Sequence, residues 1–144
     1  MSNTVSEIEA ATQRFYAAVE HATLGNGVQA ISDCWHHTDY VTSVHPSGEW
    51  ARGWEEVHAT WAILASFGAP QRGGSRMHSL NVNLVHGDMA YITCVFLSAP
   101  TFGSVELACT NVLQRLAGEW KIVHHHIDKS PVVAAAFERI ALGG

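Results

Sequence analysis

The sequence predicts an α+β fold, with helices first and a mainly antiparallel sheet after them. Three observations predict it. Apolar residues recur at steps of three and four near the start and again over residues 53–67, the period of an amphipathic helix. From His78 onward the period changes to two, with Gly87-Asp88 and Gly118-Glu119 as turns between runs. Helices followed by consecutive strands, rather than strands alternating with helices, argue for a meander and against a parallel βαβ sheet.

The elements follow in order. From Thr4 to about Ala22 the apolar positions are Val5, Ile8, Ala11, Phe15, Val19 and Ala22. Ser6 and Glu9 have capping-box spacing near the start, and Gly25-Asn26-Gly27 stops the helix. Val28–Trp35 reads as a short second helix. Asp39–His45 alternates as a strand that closes on Pro46-Ser47-Gly48. Gly53–Phe67 is the third helix, with Trp54, Val57, Trp61 and Leu64 on one stripe and Glu55, Glu56 and Thr60 away from it. Residues 68–75 (GAPQRGGS) form a loop. Strands His78–His86, Met89–Leu97, Val105–Leu116 and Trp120–Asp128 follow, and a short helix is expected after Pro131.

The 144 residues, 47% apolar and 15% charged, form one expected domain spanning 1–144. Eight Lys and Arg against thirteen Asp and Glu leave a net charge of −5, with no basic cluster, so neither nucleic acid nor an anionic membrane is expected as partner. With no apolar run of spanning length and a polar start, the expected location is cytoplasmic. Cys34, Cys94 and Cys109 are odd in number and widely spaced, which argues against a disulfide framework.

The later strands carry apolar residues on both parities. Met89, Tyr91, Val95 and Leu97 oppose Ala90, Ile92, Cys94 and Phe96, while Leu107, Cys109 and Leu113 oppose Ala108, Val112 and Leu116. A sheet with one face in water alternates apolar and polar. Here both faces need cover; the helices cover one, and a second copy of the sheet is expected on the other as a homodimer.

The segments VTSVHPSGEWARGWEEVHATW (residues 41–61) and WKIVHHHIDKSP (residues 120–131) resemble the SnoaL-like branch of the NTF2-like superfamily, which includes the association domain of calcium/calmodulin-dependent kinase II. The resemblance implies a cone, a curved, mainly antiparallel sheet wrapped around three helices, often dimeric through its outer face. The superfamily holds isomerases, cyclases, dehydratases and non-catalytic assembly domains, so the fold alone does not select among them. The string HHHIDKSP also resembles the HHHSSxxP signature of iota-class carbonic anhydrases, with Ile127 and Asp128 where that signature has serines.

Within such a cone, strict alternation puts Trp120, Ile122, His124, His126 and Asp128 on one inward face, and turns His125 and Ile127 toward a partner subunit. His126, Asp128 and His45 are the candidate catalytic groups: a carboxylate in an apolar lining has a raised pKa, as a general base near neutrality requires. His124, Trp35, Trp50, Tyr91 and Asn111 are the candidate substrate contacts, and Trp54 and Trp61 are expected in the core. Arg52 suits a surface ion pair. No metal site and no cofactor are expected: HExxH, paired cysteines, Walker and GxGxxG patterns are absent, although His124 and His126 have HxH spacing. Two functions compete. One is cofactor-free isomerase, cyclase or dehydratase chemistry on an apolar, oxygen-bearing molecule; the other is a non-catalytic association domain.

Overall fold

The computed structural model of the chain describes residues 2–45, 48–66, 76–98 and 105–128. Its elements are α1 (Ser2–Thr23), α2 (Gln29–Ser32), β1 (Thr42–Val44), β2 (Trp50–Arg52), α3 (Gly53–Ser66), β3 (Arg76–His86), β4 (Met89–Ser98), β5 (Val105–Leu116) and β6 (Glu119–Asp128). The fold is α+β, as expected. The expected loop over residues 68–75 and the helix after Pro131 lie outside the described residues. The differences are local, and α2 and β1 are shorter than the expected Val28–Trp35 and Asp39–His45. Helix α1 starts at Ser2, so Ser6 and Glu9 lie within it and do not cap it. Strand β2 lies in a stretch too short to show a period of two.

One six-stranded sheet has the order β2-β1-β6-β5-β4-β3, antiparallel throughout except that β1 runs parallel to β6. Two backbone devices set its path. The β5–β6 hairpin turns on Ala117 (φ 51°) and Gly118 (φ 79°), the two positive dihedrals that a type I′ turn requires. Gly53 (φ 80°) lets the chain leave β2 and enter α3 directly, while its N–H donates to Val41 O at 2.8 Å.

The apolar stripes meet inside this sheet. Ile8, Phe15 and Val19 of α1 and Val57 and Trp61 of α3 join Ile92, Leu113 and Ile122 in one buried core. Each such side chain contributes about 1.5–3 kcal/mol on burial. Among the described residues no helix is long and apolar enough to cross a membrane.

A β-bulge in β6 decides what faces the core. Leu113 pairs with Ile122, but the neighbouring Val112 pairs with His124, so Val123 is an extra residue opposite β5. One extra residue inverts every later side chain. Trp120 and Ile122 point inward before it; after it His125 and Ile127 are buried, while His126 and Asp128 are exposed. The strict alternation expected for β6 therefore holds only up to Ile122.

The outward positions of β4 and β5 alternate apolar with hydroxyl side chains: Tyr91, Thr93 and Val95 on β4, and Ala108, Thr110 and Val112 on β5. This face is amphipathic, less apolar than the parity count suggests, because its threonines keep the β-branched shape with a polar atom.

Candidate functional site

The buried polar groups collect where α1 crosses β5 and β6. Asn111 on β5 and His125 on β6 are register partners, both inward and both sealed from solvent. Tyr16, one helical turn beyond Thr12 on α1, reaches them from the other side. Asn111 Nδ2 donates to the Tyr16 hydroxyl oxygen at 3.0 Å, and Asn111 Oδ1 lies 2.5 Å from His125 Nδ1. These contacts fix the proton positions. An amide that gives its N–H to Tyr16 presents its oxygen, an acceptor only, to the imidazole. Nδ1 of His125 therefore carries the hydrogen and Nε2 the lone pair, and among the described residues Nε2 has no hydrogen-bond partner.

Aromatic rings wall this chain. Phe15 and Trp61 stand 5.1 and 5.4 Å from the His125 ring, and His45 stands 6.3 Å away. His45, at the end of β1, is half-buried; its Nε2 is 3.0 Å from Thr60 Oγ1 on α3. Burial holds the His125 pKa well below the ordinary histidine value, with the charge of His45 adding to it, and burial also lowers His45. Both rings are neutral at pH 7. Burial, then the adjacent Cys109 and Cys94, raises the Tyr16 pKa well above that of an ordinary phenol, so Tyr16 keeps its proton.

The two hydrogen bonds point one way. His125 donates to Asn111, Asn111 donates to Tyr16, and the Tyr16 O–H can donate onward, to the neighbouring Cys94 and Cys109 sulfurs or to a ligand oxygen in their place. Hydrogen bonds aligned head to tail polarise one another, so the last donor is the strongest. Tyr16, Phe96 and Met77 line a pocket of about 230 Å³ together with Gln13, Glu20 and Arg76. Phe96 stacks on the Tyr16 ring at 5.1 Å.

Of the residues singled out from sequence, His45 and Asn111 belong to this cluster. His126 and Asp128 do not: both lie on the outer face beyond the bulge, and His125, assigned there to the partner side, takes the inward place. His124 is also outward. Its Nδ1 is 2.7 Å from Thr42 Oγ1, and the exposed Trp50 ring lies 6.1 Å away, with the Arg52 guanidinium 5.0 Å from the centre of that ring. Arg52 thus meets an aromatic face, and its backbone N–H, not its side chain, contacts Glu56. Burial and the neighbouring His126 lower the His124 pKa. Trp35 is core and not rim, 1% exposed against Phe15 and Trp54. Tyr91 stands on the outer face, 41% exposed. Among the described residues no three His, Cys, Asp or Glu side chains gather as a metal site.

Tyr16, Thr60 and the inward role of His125 were not found from sequence. Tyr16 lies beside the apolar stripe of α1, four residues after Thr12 and eight after Ile8, and that spacing was its available signal. The bulge that turns His125 inward has none: VHHHI is compatible with either parity.

The family described as the SnoaL-like domain matches residues 8–133. The F-box protein SKIP8 of Arabidopsis thaliana is 31% identical over 99 residues, 69% of this chain, and the match spans only 41% of that protein. Among solved structures, a candidate dehydratase of the NTF2-like family from Streptomyces avermitilis superposes with a TM-score of 0.69 at 23% identity, covering 89% of this chain and 97% of the other. A candidate calcium/calmodulin-dependent protein kinase type II association domain from Thiobacillus denitrificans gives 0.69 at 24% identity, over 84% and 93%. An uncharacterized protein with a cystatin-like fold from Caulobacter vibrioides gives 0.70 at 13%, over 94% and 98%. These structural likenesses concern the fold alone. The family match covers most of the chain and agrees with the curved sheet wrapped on α1: the protein belongs to the SnoaL-like family and has its NTF2-like fold.

Proposed function

We propose that the chain binds a small, apolar, oxygen-bearing molecule at Tyr16, and that the Tyr16 hydroxyl donates a hydrogen bond to its oxygen. The observation that carries this reading is the one-way relay from His125 through Asn111 to Tyr16, a residue that also lines a pocket with Phe96 and Met77. A neutral donor held in a dry, fixed position stabilises negative charge developing on a carbonyl or hydroxyl oxygen better than water does. Isomerase, cyclase and dehydratase chemistry without a cofactor begins with that step. His125, neutral and fully enclosed, positions and polarises the relay. His45 supports its ring from the far side.

The test uses 2-naphthol as probe, with calorimetry as the readout. Saturable binding is expected, about tenfold weaker in Tyr16→Phe, the equivalent of roughly 1.4 kcal/mol for one lost hydrogen bond. Equal affinity in the folded Tyr16→Phe variant, or no saturation in the wild type, refutes the reading. A cytoplasmic setting suits three free thiols, Cys34, Cys94 and Cys109.

A second reading, an association domain that dimerises through the outer sheet face, is favoured by one observation. Tyr91 and its register partner Val112 stand side by side there, partly exposed, with Val95 further along β4. The two readings are compatible, since the relay and this face lie on opposite sides of the sheet.

A further inference from the structure

Two thiols in the interior are not needed by the relay. Cys94 on β4 and Cys109 on β5 are direct register partners on the inward face of adjacent antiparallel strands, both reduced and both buried. Directly opposed residues in such a pair have Cα atoms about 4.5–5.5 Å apart, within the roughly 4.4–6.8 Å that a disulfide spans. Each thiol perturbs the pKa of the other and of the Tyr16 hydroxyl, as close neighbours do, while Cys109 Sγ donates to Leu107 O at 3.6 Å. The third cysteine, Cys34, takes no part: its Sγ donates to Ala30 O at 3.3 Å, beside a separate pocket that holds Arg14 and Lys121.

We infer that Cys94 and Cys109 are a redox modification site, a dithiol that a small peroxide converts to a cross-strand disulfide. The two sulfurs are not equivalent. Cys109 hydrogen-bonds Cys94 and lowers its pKa, with Tyr16 helping, whereas the same bond and burial raise Cys109. The Cys109 S–H is also held by Leu107 O at 3.6 Å, which keeps its proton in place, so Cys94 is the attacking group and Cys109 the resolving one. The Cys94 thiolate attacks one peroxide oxygen; the O–O bond breaks, and the departing hydroxide takes a proton to become water. The Cys109 sulfur then displaces the hydroxyl from the Cys94 sulfenic acid, and that hydroxyl leaves as a second water with the Cys109 proton. Two thiols lose two electrons and two hydrogens, and the peroxide becomes two waters.

The inference is independent of what binds at Tyr16. Its test uses the full chain with Cys34→Ser, so that only the pair remains, treated with hydrogen peroxide and then alkylated. The expected product is a monomer with no alkylatable thiol and a mass lower by two hydrogens. Dithiothreitol should restore it, and its urea midpoint should be higher because the unfolded chain is now closed into a loop. A chain carrying both Cys34→Ser and Cys109→Ser should stop at the Cys94 sulfenic acid, which a dimedone probe traps. Two thiols persisting in the folded chain, under conditions that cross-link it fully when unfolded in urea, would show the pair to be only core packing. Disulfide-linked dimers, or oxygen added at both sulfurs, would likewise overturn the inference.

Discussion

Asn111 is the joint of the relay, so Asn111→Leu tests it most directly. The substitution keeps the branched shape, with bulkier methyl groups in place of the amide oxygen and nitrogen, and removes both hydrogen bonds, the one to Tyr16 at 3.0 Å and the one from His125 at 2.5 Å. Tyr16 still has the Cys94 and Cys109 sulfurs as acceptors, so its loss is about 1 kcal/mol, an average hydrogen bond. The Nδ1–H of His125 is left buried with no acceptor, which costs about 1–3 kcal/mol. The sum, about 2–4 kcal/mol, is a large share of the roughly 5–15 kcal/mol that holds such a domain together. With a urea m-value near 2 kcal/mol/M, the midpoint should fall by about 1–2 M at unchanged m. His125→Leu should cost a similar amount, but the double variant should cost less than the two singles together, because the second change removes a group the first had orphaned. A loss under about 0.5 kcal/mol for Asn111→Leu, or strict additivity in the double variant, would refute the relay.

Stability should also fall with acidity. Burial holds His125 and His45 neutral in the folded chain, so the unfolded chain binds more protons once the pH drops below about 6.5. Their contribution is fully present above that pH and is lost progressively toward the lower folded-state value; a urea series from pH 7.5 to 5 should show the decline, shallower in His125→Leu. Equal slopes in the two proteins would remove His125 from the explanation. For the outer face, Val112→Asp places a carboxylate beside the half-buried Tyr91 and His124 of the same face, and should convert a dimer into a monomer in size-exclusion chromatography with light scattering while leaving the far-UV spectrum unchanged. A dimer that persists in the variant would exclude this face as the interface.

Sequence periodicity determined the element types. Steps of three and four mark α1 and α3, and steps of two mark β3 to β6, because burial of one face is a local requirement that each element meets with its own residues. It also determined that Asn111 and His45 were worth attention, as polar groups on apolar strands. Tertiary structure decided the rest. Whether His124 or His125 faces the core depends on the single extra residue at Val123, and a bulge is dictated by how β6 must bend between β5 and β1, a relation between strands that a residue string does not carry. The pairing of Tyr16 with Asn111, 95 positions apart, and of Cys94 with Cys109 arises in the same way: each is a choice of neighbours made when the sheet closes on α1.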